Sequence, residues 1–186
     1  MINAEQLEKH DKLLGFYLIP SPDLATEVIG LRNLVYDQYR IKAASQFMTH
    51  MTIKGFFKPV PNIRYQQLIQ ALDGVVGRYH PFTIYPTNLK RFGDEGLGME
   101  FSREINGTLW HIHNECYQAI KAFMTVDCDA NFGESFTPHL TISMADVSSA
   151  LLEDMSCYLS DIQFDSEGYV IKNFKLYEFT SHGWGT

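Results

Sequence analysis

Apolar and polar positions change period along the chain in an order that occurs twice. Leu13 to Ile19 (LLGFYLI) is an unbroken apolar run of strand length, ended by Pro20-Ser21-Pro22. From Asp23 to Tyr39 the apolar residues fall at Leu24, Val28, Leu31, Leu34 and Val35, a spacing that predicts a helix with these five on its buried stripe. A second strand is expected over Met48 to Phe57, then a Pro-punctuated loop from Lys58 to Asn62. A helix over about Ile63 to Val76 follows, with Leu68, Ile69, Leu72 and Val76 on one face, and Tyr79 to Tyr85 alternates as a strand until Pro86.

The second half predicts the same order. Leu97 to Arg103 reads as a strand, and Asn106 and Thr108 open a helix running to about Phe123. A loop with Asn131 and Gly133 leads into a strand over Phe136 to Met144. Asp146 is placed to cap a helix over Val147 to Leu159, and Gly168 starts a closing strand, Tyr169 to Phe179. Gly15 aligns with Gly98 at an offset of 98 − 15 = 83, and His50 with His139 at 139 − 50 = 89. The expected fold is α+β: a duplicated strand-helix-strand-helix-strand unit forming a single domain over residues 1–186. Two such lobes related by a pseudo-two-fold would bring the second strand of each to a shared groove.

Those two strands carry the candidate chemistry. One reads His50-Met51-Thr52-Ile53 and the other His139-Leu140-Thr141-Ile142. With 7 His and 11 Thr in 186 residues, roughly 0.4 His-x-Thr triplets are expected by chance, and roughly 0.03 once a following Ile is required. Two copies at matching places in two similar halves are therefore a pattern. Strand alternation puts His50, Thr52 and Lys54 on one face and Met51 and Ile53 on the other; His139, Thr141 and Ser143 likewise oppose Leu140, Ile142 and Met144.

Composition narrows the setting. The chain is 45% hydrophobic and 20% charged, within the globular range. Its polar first dozen residues lack the apolar core of a signal peptide, and no run reaches the roughly 18 apolar residues of a membrane span. Cys116, Cys128 and Cys157 form no CxxC pair and read as buried thiols, so a cytoplasmic location is expected. A net charge of −7 opposes binding to long nucleic acid, while leaving room for a small anion in a local pocket. His111 and His113 lie in a predicted helix where i and i+2 diverge, and read as surface or cap residues rather than metal ligands. His10, His80 and His182 have no motif context. Tyr17, Phe56 and Tyr177 are candidate walls for a nucleobase.

At the HMTIKG and PHLTIS motifs, together with the FYLIPSP opening strand, the sequence resembles the 2H phosphoesterase superfamily, which includes the RNA 2′,3′-cyclic phosphodiesterases also called 2′-5′ RNA ligases. The resemblance implies two pseudo-symmetric lobes, each with an antiparallel sheet, around a central cleft. It also implies that His50 and His139 form an acid-base pair, that Thr52 and Thr141 donate to a phosphate, and that no metal or cofactor is needed. Many RNA-processing members carry Arg shortly after the second motif, where this chain has Ser143-Met144-Ala145; Lys54 is the candidate to supply that charge from the other lobe, and Ser143 is a further candidate substrate-binding residue. Two imidazoles suit the opening of a cyclic phosphodiester, because a pKa near 6.5 lets one be neutral and the other protonated at neutral pH. The expected activity is hydrolysis of a nucleoside 2′,3′-cyclic phosphate or RNA end to the 2′-phosphate, by a monomer with a small-molecule nucleotide substrate. A cyclic phosphodiesterase acting on an ADP-ribose-type metabolite, and a nucleotide- or RNA-binding module without turnover, are the alternatives.

Overall fold

A computed structural model describes residues 12–129, 133–180 and 183–185, with backbone alone at 180 and 183–185. His10, Asn131 and His182 lie outside the described residues. In chain order the elements are β1 (Leu13–Ile19), α1 (Pro22–Tyr39), β2 (Met51–Pro59), α2 (Tyr65–Val76), β3 (Phe82–Ile84), β4 (Asn88–Phe92) and β5 (Gly96–Glu100). There follow α3 (Arg103–Ile120), β6 (Met124–Asp127), β7 (His139–Met144), α4 (Ser149–Tyr158), β8 (Tyr169–Ile171), β9 (Asn173–Thr180) and β10 (Gly183–Gly185).

The strands run antiparallel in the order β10-β9-β1-β2-β7-β5-β4, with β6 also on β2 and a separate β3-β8 pair. The β10-β9-β1-β2 half and the β7-β5-β4 half meet through one register pair, Met51 with Leu140. Both residues are fully buried. On the outer side of each motif strand the ladder is long: β1 lies on β2 from Leu14/Phe57 to Leu18/Met51, and β5 on β7 from Gly96/Met144 to Glu100/His139. The helices are exchanged between the halves of the chain. α1, from the first half, packs on β7, whereas α3, from the second, packs on β2 beside α2.

Local chemistry explains where the elements begin. Ser21 caps α1 by accepting from the Leu24 N–H, with Pro22 in the first turn, where its missing N–H costs nothing. α4 starts two residues later than the expected cap at Asp146, because Ser148 accepts the Leu151 N–H and Asp146 is drawn away to the Lys42 and Ala43 N–H groups. α3 begins before Asn106, which lies inside it with non-helical dihedrals. Its side-chain amide instead brackets Tyr85, accepting from the Tyr85 N–H and donating to its carbonyl oxygen. β4 and β6 have no counterpart in the sequence expectation, and the long closing strand is broken at Lys172 so that β8 pairs with β3 and β9 with β1. Leu34 and Ile69, expected on buried stripes, are 39% and 44% exposed. Of the cysteines, Cys116 is buried, Cys128 half-buried and Cys157 exposed.

Gly96 has a close approach to explain it: a Cβ there would fall inside contact distance of the Ser143 carbonyl oxygen on β7. Gly96→Ala should therefore destabilise the fold by about 2–3 kcal/mol. Gly74→Ala, on the exposed side of α2 with nothing within 4 Å, should stabilise it by about 0.5–1 kcal/mol. Urea denaturation of the two variants beside the parent chain checks both signs.

Candidate active site

The single Met51–Leu140 pair sets the site. Its two side chains point into the core, so the residues flanking them point to the other face. One antiparallel step either way puts His50 opposite Thr141 and Thr52 opposite His139. Opposed residues in such a pair have Cβ atoms about 5 Å apart and diagonal neighbours about 7–8 Å. Continued one step from the Met51–Leu140 pair, this register sets the two imidazoles on one diagonal and the two hydroxyls on the other.

The two histidines are held in the same way. His50 Nδ1 lies 2.9 Å from the Met48 carbonyl oxygen and His139 Nδ1 lies 2.8 Å from that of Thr137, in each case the carbonyl two residues earlier. A carbonyl oxygen can only accept, so each Nδ1 carries the hydrogen and each neutral ring leaves Nε2 as its basic atom. Aromatic neighbours fix the rings: Tyr17 meets His50 edge-on at 4.8 Å between centroids, and Phe92 lies against His139 at 4.1 Å. Gly98 makes room for the second contact, since a Cβ there would be 2.9 Å from the Phe92 ring and 3.1 Å from His139. Burial lowers both histidine pKa values. The Arg32 guanidinium and the charge of His139 lower His50 further, whereas Glu100, opposite His139 in register, acts to raise that of His139.

The other expected residues separate. Lys54 is a correction: its side chain is fully buried, and its ammonium donates to Asp127 at 2.7 Å, Asp129 at 3.2 Å and the Gly55 carbonyl oxygen at 3.4 Å. Three N–H bonds meet three acceptors, so no donor remains for a phosphate. Tyr17 and Tyr177 pack against each other, 2% and 6% exposed. They brace His50 rather than form an open wall, and burial pushes the Tyr17 phenol well above its ordinary pKa. Phe56 is half-buried against Phe179. Ser143 is fully buried with no hydrogen-bond partner for its Oγ, and it lines a cavity of about 120 Å³ with His139, Thr141 and Phe92.

Arg32, Phe92 and Glu100 are site residues the sequence reading did not single out. Arg32 left a trace there: it stands four residues after Val28 on the buried stripe of α1, an odd place for a charge. His113, expected at the surface, is fully buried. It donates from Nδ1 to the Ile53 carbonyl oxygen at 2.6 Å, accepts the Gly133 N–H at Nε2, and stacks on Phe136. Among the described residues no group of three His, Cys, Asp or Glu is arranged to hold a metal ion, and no helix is long and apolar enough to cross a membrane.

The sequence profile of the 2′-5′ RNA ligase superfamily matches residues 20–172, a span that includes both His-x-Thr strands. The chain belongs to this superfamily, the 2H phosphoesterases. Solved structures of similar fold agree. Escherichia coli LigT complexed with 3′-AMP matches with a TM-score of 0.56 at 19% identity, over 90% of this chain and 87% of that one. LigT complexed with NADP+ gives 0.60 at 17% identity, over 90% and 87%. A structure described as a phosphoesterase gives 0.60 at 18% identity, over 91% and 88%. A search of curated proteins returns no match.

The lowered histidine pKa values give this 2H phosphoesterase fold a pH-dependent stability. Between the folded-state values and the ordinary 6.5, the unfolded chain binds protons that the folded chain does not, so stability falls as pH falls through that window. Thermal melts from about pH 8 down to about pH 5 should show a declining Tm, and His139→Gln should flatten the decline. An unchanged slope in His139→Gln would mean that His139 titrates as it does in the unfolded chain.

Proposed function

We propose that the chain hydrolyses a small cyclic phosphodiester, a nucleoside 2′,3′-cyclic phosphate or an RNA end, to the 2′-phosphate by metal-independent acid-base catalysis. The observation that carries this reading is the pair of imidazoles flanking the Met51–Leu140 register pair, one on each strand, each tied through Nδ1 to a carbonyl so that Nε2 is presented in the neutral state. One neutral imidazole takes a proton from water as its oxygen bonds to phosphorus. The other, protonated, gives its proton to the 3′ oxygen as the P–O3′ bond breaks. The protons then re-equilibrate with solvent. Thr52 and Thr141 supply hydroxyl donors to the non-bridging oxygens as charge builds there.

Burial favours the neutral form of both histidines in the ligand-free protein. An anionic phosphate between them makes protonation of one imidazole less costly, so the substrate helps to create its own general acid. Solved complexes of LigT with 3′-AMP and ATP support a small nucleotide as ligand. The LigT complex with NADP+ supports, as a second reading, a cyclic phosphate on an ADP-ribose-type metabolite. Both motif strands belong to a single chain, so a monomer suffices for the proposed reaction, and the net charge of −7 argues against long nucleic acid as the ligand.

The test is turnover of 2′,3′-cyclic nucleotides, cyclic ADP-ribose phosphate and 2′-5′ linked oligonucleotides in the presence of a chelator. Chelator should leave the rate unchanged. His50→Ala and His139→Ala should each reduce kcat by roughly 10²–10⁴-fold, with the double variant little worse than either. Thr52→Ala and Thr141→Ala should each cost about 1.5–3 kcal/mol of transition-state stabilisation. Binding of nucleotide without turnover would replace this reading with that of a binding module.

A further inference from the structure

α1 carries a buried charge with no opposite charge beside it among the described residues. Arg32 is 5% exposed, and among the described residues its guanidinium bonds to backbone carbonyls alone: Nε and Nη2 donate to Thr141 O at 3.0 and 2.8 Å, and Nη1 donates to Phe47 O at 3.1 Å. Among the described residues no carboxylate forms an ion pair with it. A cation so placed has lost much of its hydration and gained no counter-charge.

Its position gives this a meaning. One step beyond the Met51–Leu140 pair, His50 stands opposite Thr141, and there the ladder between β2 and β7 is not formed. The guanidinium occupies that break, joined on one side to Thr141 and on the other to the segment leading into His50. Strand bridging alone does not require a charge, as the other half of the molecule demonstrates. α1 begins at residue 22 and α3 at 103, so the equivalent of Arg32 is residue 32 + 81 = 113. His113 also bridges to a motif strand, through the Ile53 carbonyl oxygen, and its ring lies on Phe136, which precedes His139 by three residues as Phe47 precedes His50. It does so as a neutral imidazole, beside a cluster in which one Lys54 faces Asp127 and Asp129. The duplicated bridge is thus charged in one copy and neutral in the other.

We propose that Arg32 is a positioning residue for the phosphoesterase reaction, a fixed positive charge set in the break between the two motif strands that draws the anionic substrate into the groove and holds His50 as the neutral, proton-accepting imidazole. The proposal rests on the function proposed above. The charged and titratable groups acting on His50 are Arg32 from α1, His139 from β7 and Tyr17 from β1. Arg32 opposes its protonation at all times and His139 does so when it is itself protonated, while Ser143 and Met144 add no charge along β7.

The test compares Arg32→Gln and Arg32→Lys with the wild-type chain. The readouts are NMR titration of the His50 imidazole without substrate, affinity for inorganic phosphate, and the pH profile of kcat/KM on a 2′,3′-cyclic nucleotide. Arg32→Gln should raise the His50 midpoint, shift the His50-governed limb of the profile to higher pH, and weaken phosphate binding roughly ten- to a hundredfold. Arg32→Lys, which keeps the charge and loses the planar bridge, should retain most of the phosphate affinity while kcat falls. A folded Arg32→Gln with wild-type His50 midpoint and phosphate affinity would overturn the proposal, leaving Arg32 as a strand bridge. Should Arg32→Gln fail to fold, the wild-type Arg32 Nε–H resonance decides: it should shift on saturation with inorganic phosphate, and a resonance indifferent to phosphate would overturn the proposal. Absence of wild-type turnover would sink the proposed function, while the titration and phosphate measurements would still test Arg32.

Discussion

Two strands that touch at one ladder pair and then part define this molecule. Met51 and Leu140 are fully buried and paired in register across the seam, and on either side of them β2 and β7 lean toward different partners, β1 and β6 for one and β5 for the other. A longer shared ladder would align the polar residues as flat cross-strand pairs. A seam of one pair keeps the strands close while leaving their flanking residues free of a shared ladder, the space in which the proposed phosphate would sit. The backbone groups orphaned by the splay must still be satisfied, since a buried unpaired carbonyl or N–H is costly. Side chains satisfy them: Arg32 at the Thr141 end, and at the other end His113 on Ile53 O and Asp129 on Gly55 N.

Much of this was legible in the sequence because it depends on period. The two motif strands, the four long helices and the inward direction of Met51, Ile53, Leu140 and Ile142 follow from alternation and helical spacing. β4 and β6 were not legible, because Asn88-Leu89-Lys90-Arg91-Phe92 and Met124-Thr125-Val126-Asp127 are short edge segments whose strand character comes from the neighbour they pair with. Lys54 misled for a related reason. Alternation set it on the face of Thr52, but the β1–β2 register shifts between the two, pairing Thr52 with Tyr17 and Lys54 with Phe16, and the carboxylates that neutralise it lie 73 and 75 residues away, on β6 and just after it. The exchange of α1 and α3 between the halves is invisible to any local pattern, and so the bridging roles of Arg32 and His113 were invisible too.

The scaffold is nearly symmetric and its charges are not. Both imidazoles use the same backbone anchor two residues back. Around His50 stand a guanidinium and a buried phenol; around His139 stand Phe92 and Glu100, the latter 2.5 Å from Lys90. An acid-base pair needs its members to differ in proton affinity at the same pH. Two identical environments would leave the proposed roles to chance, whereas these environments differ, with His50 the more strongly opposed to protonation by neighbouring charge.

The central claim is that both histidines act on one phosphate, and a crystal structure of the chain with bound orthophosphate tests it most directly. The account places a single anion within hydrogen-bond reach, about 3 Å, of Nε2 on both His50 and His139, with the Thr52 and Thr141 hydroxyls on its remaining oxygens. An anion held by one histidine alone, or bound away from the Met51–Leu140 seam, would contradict it.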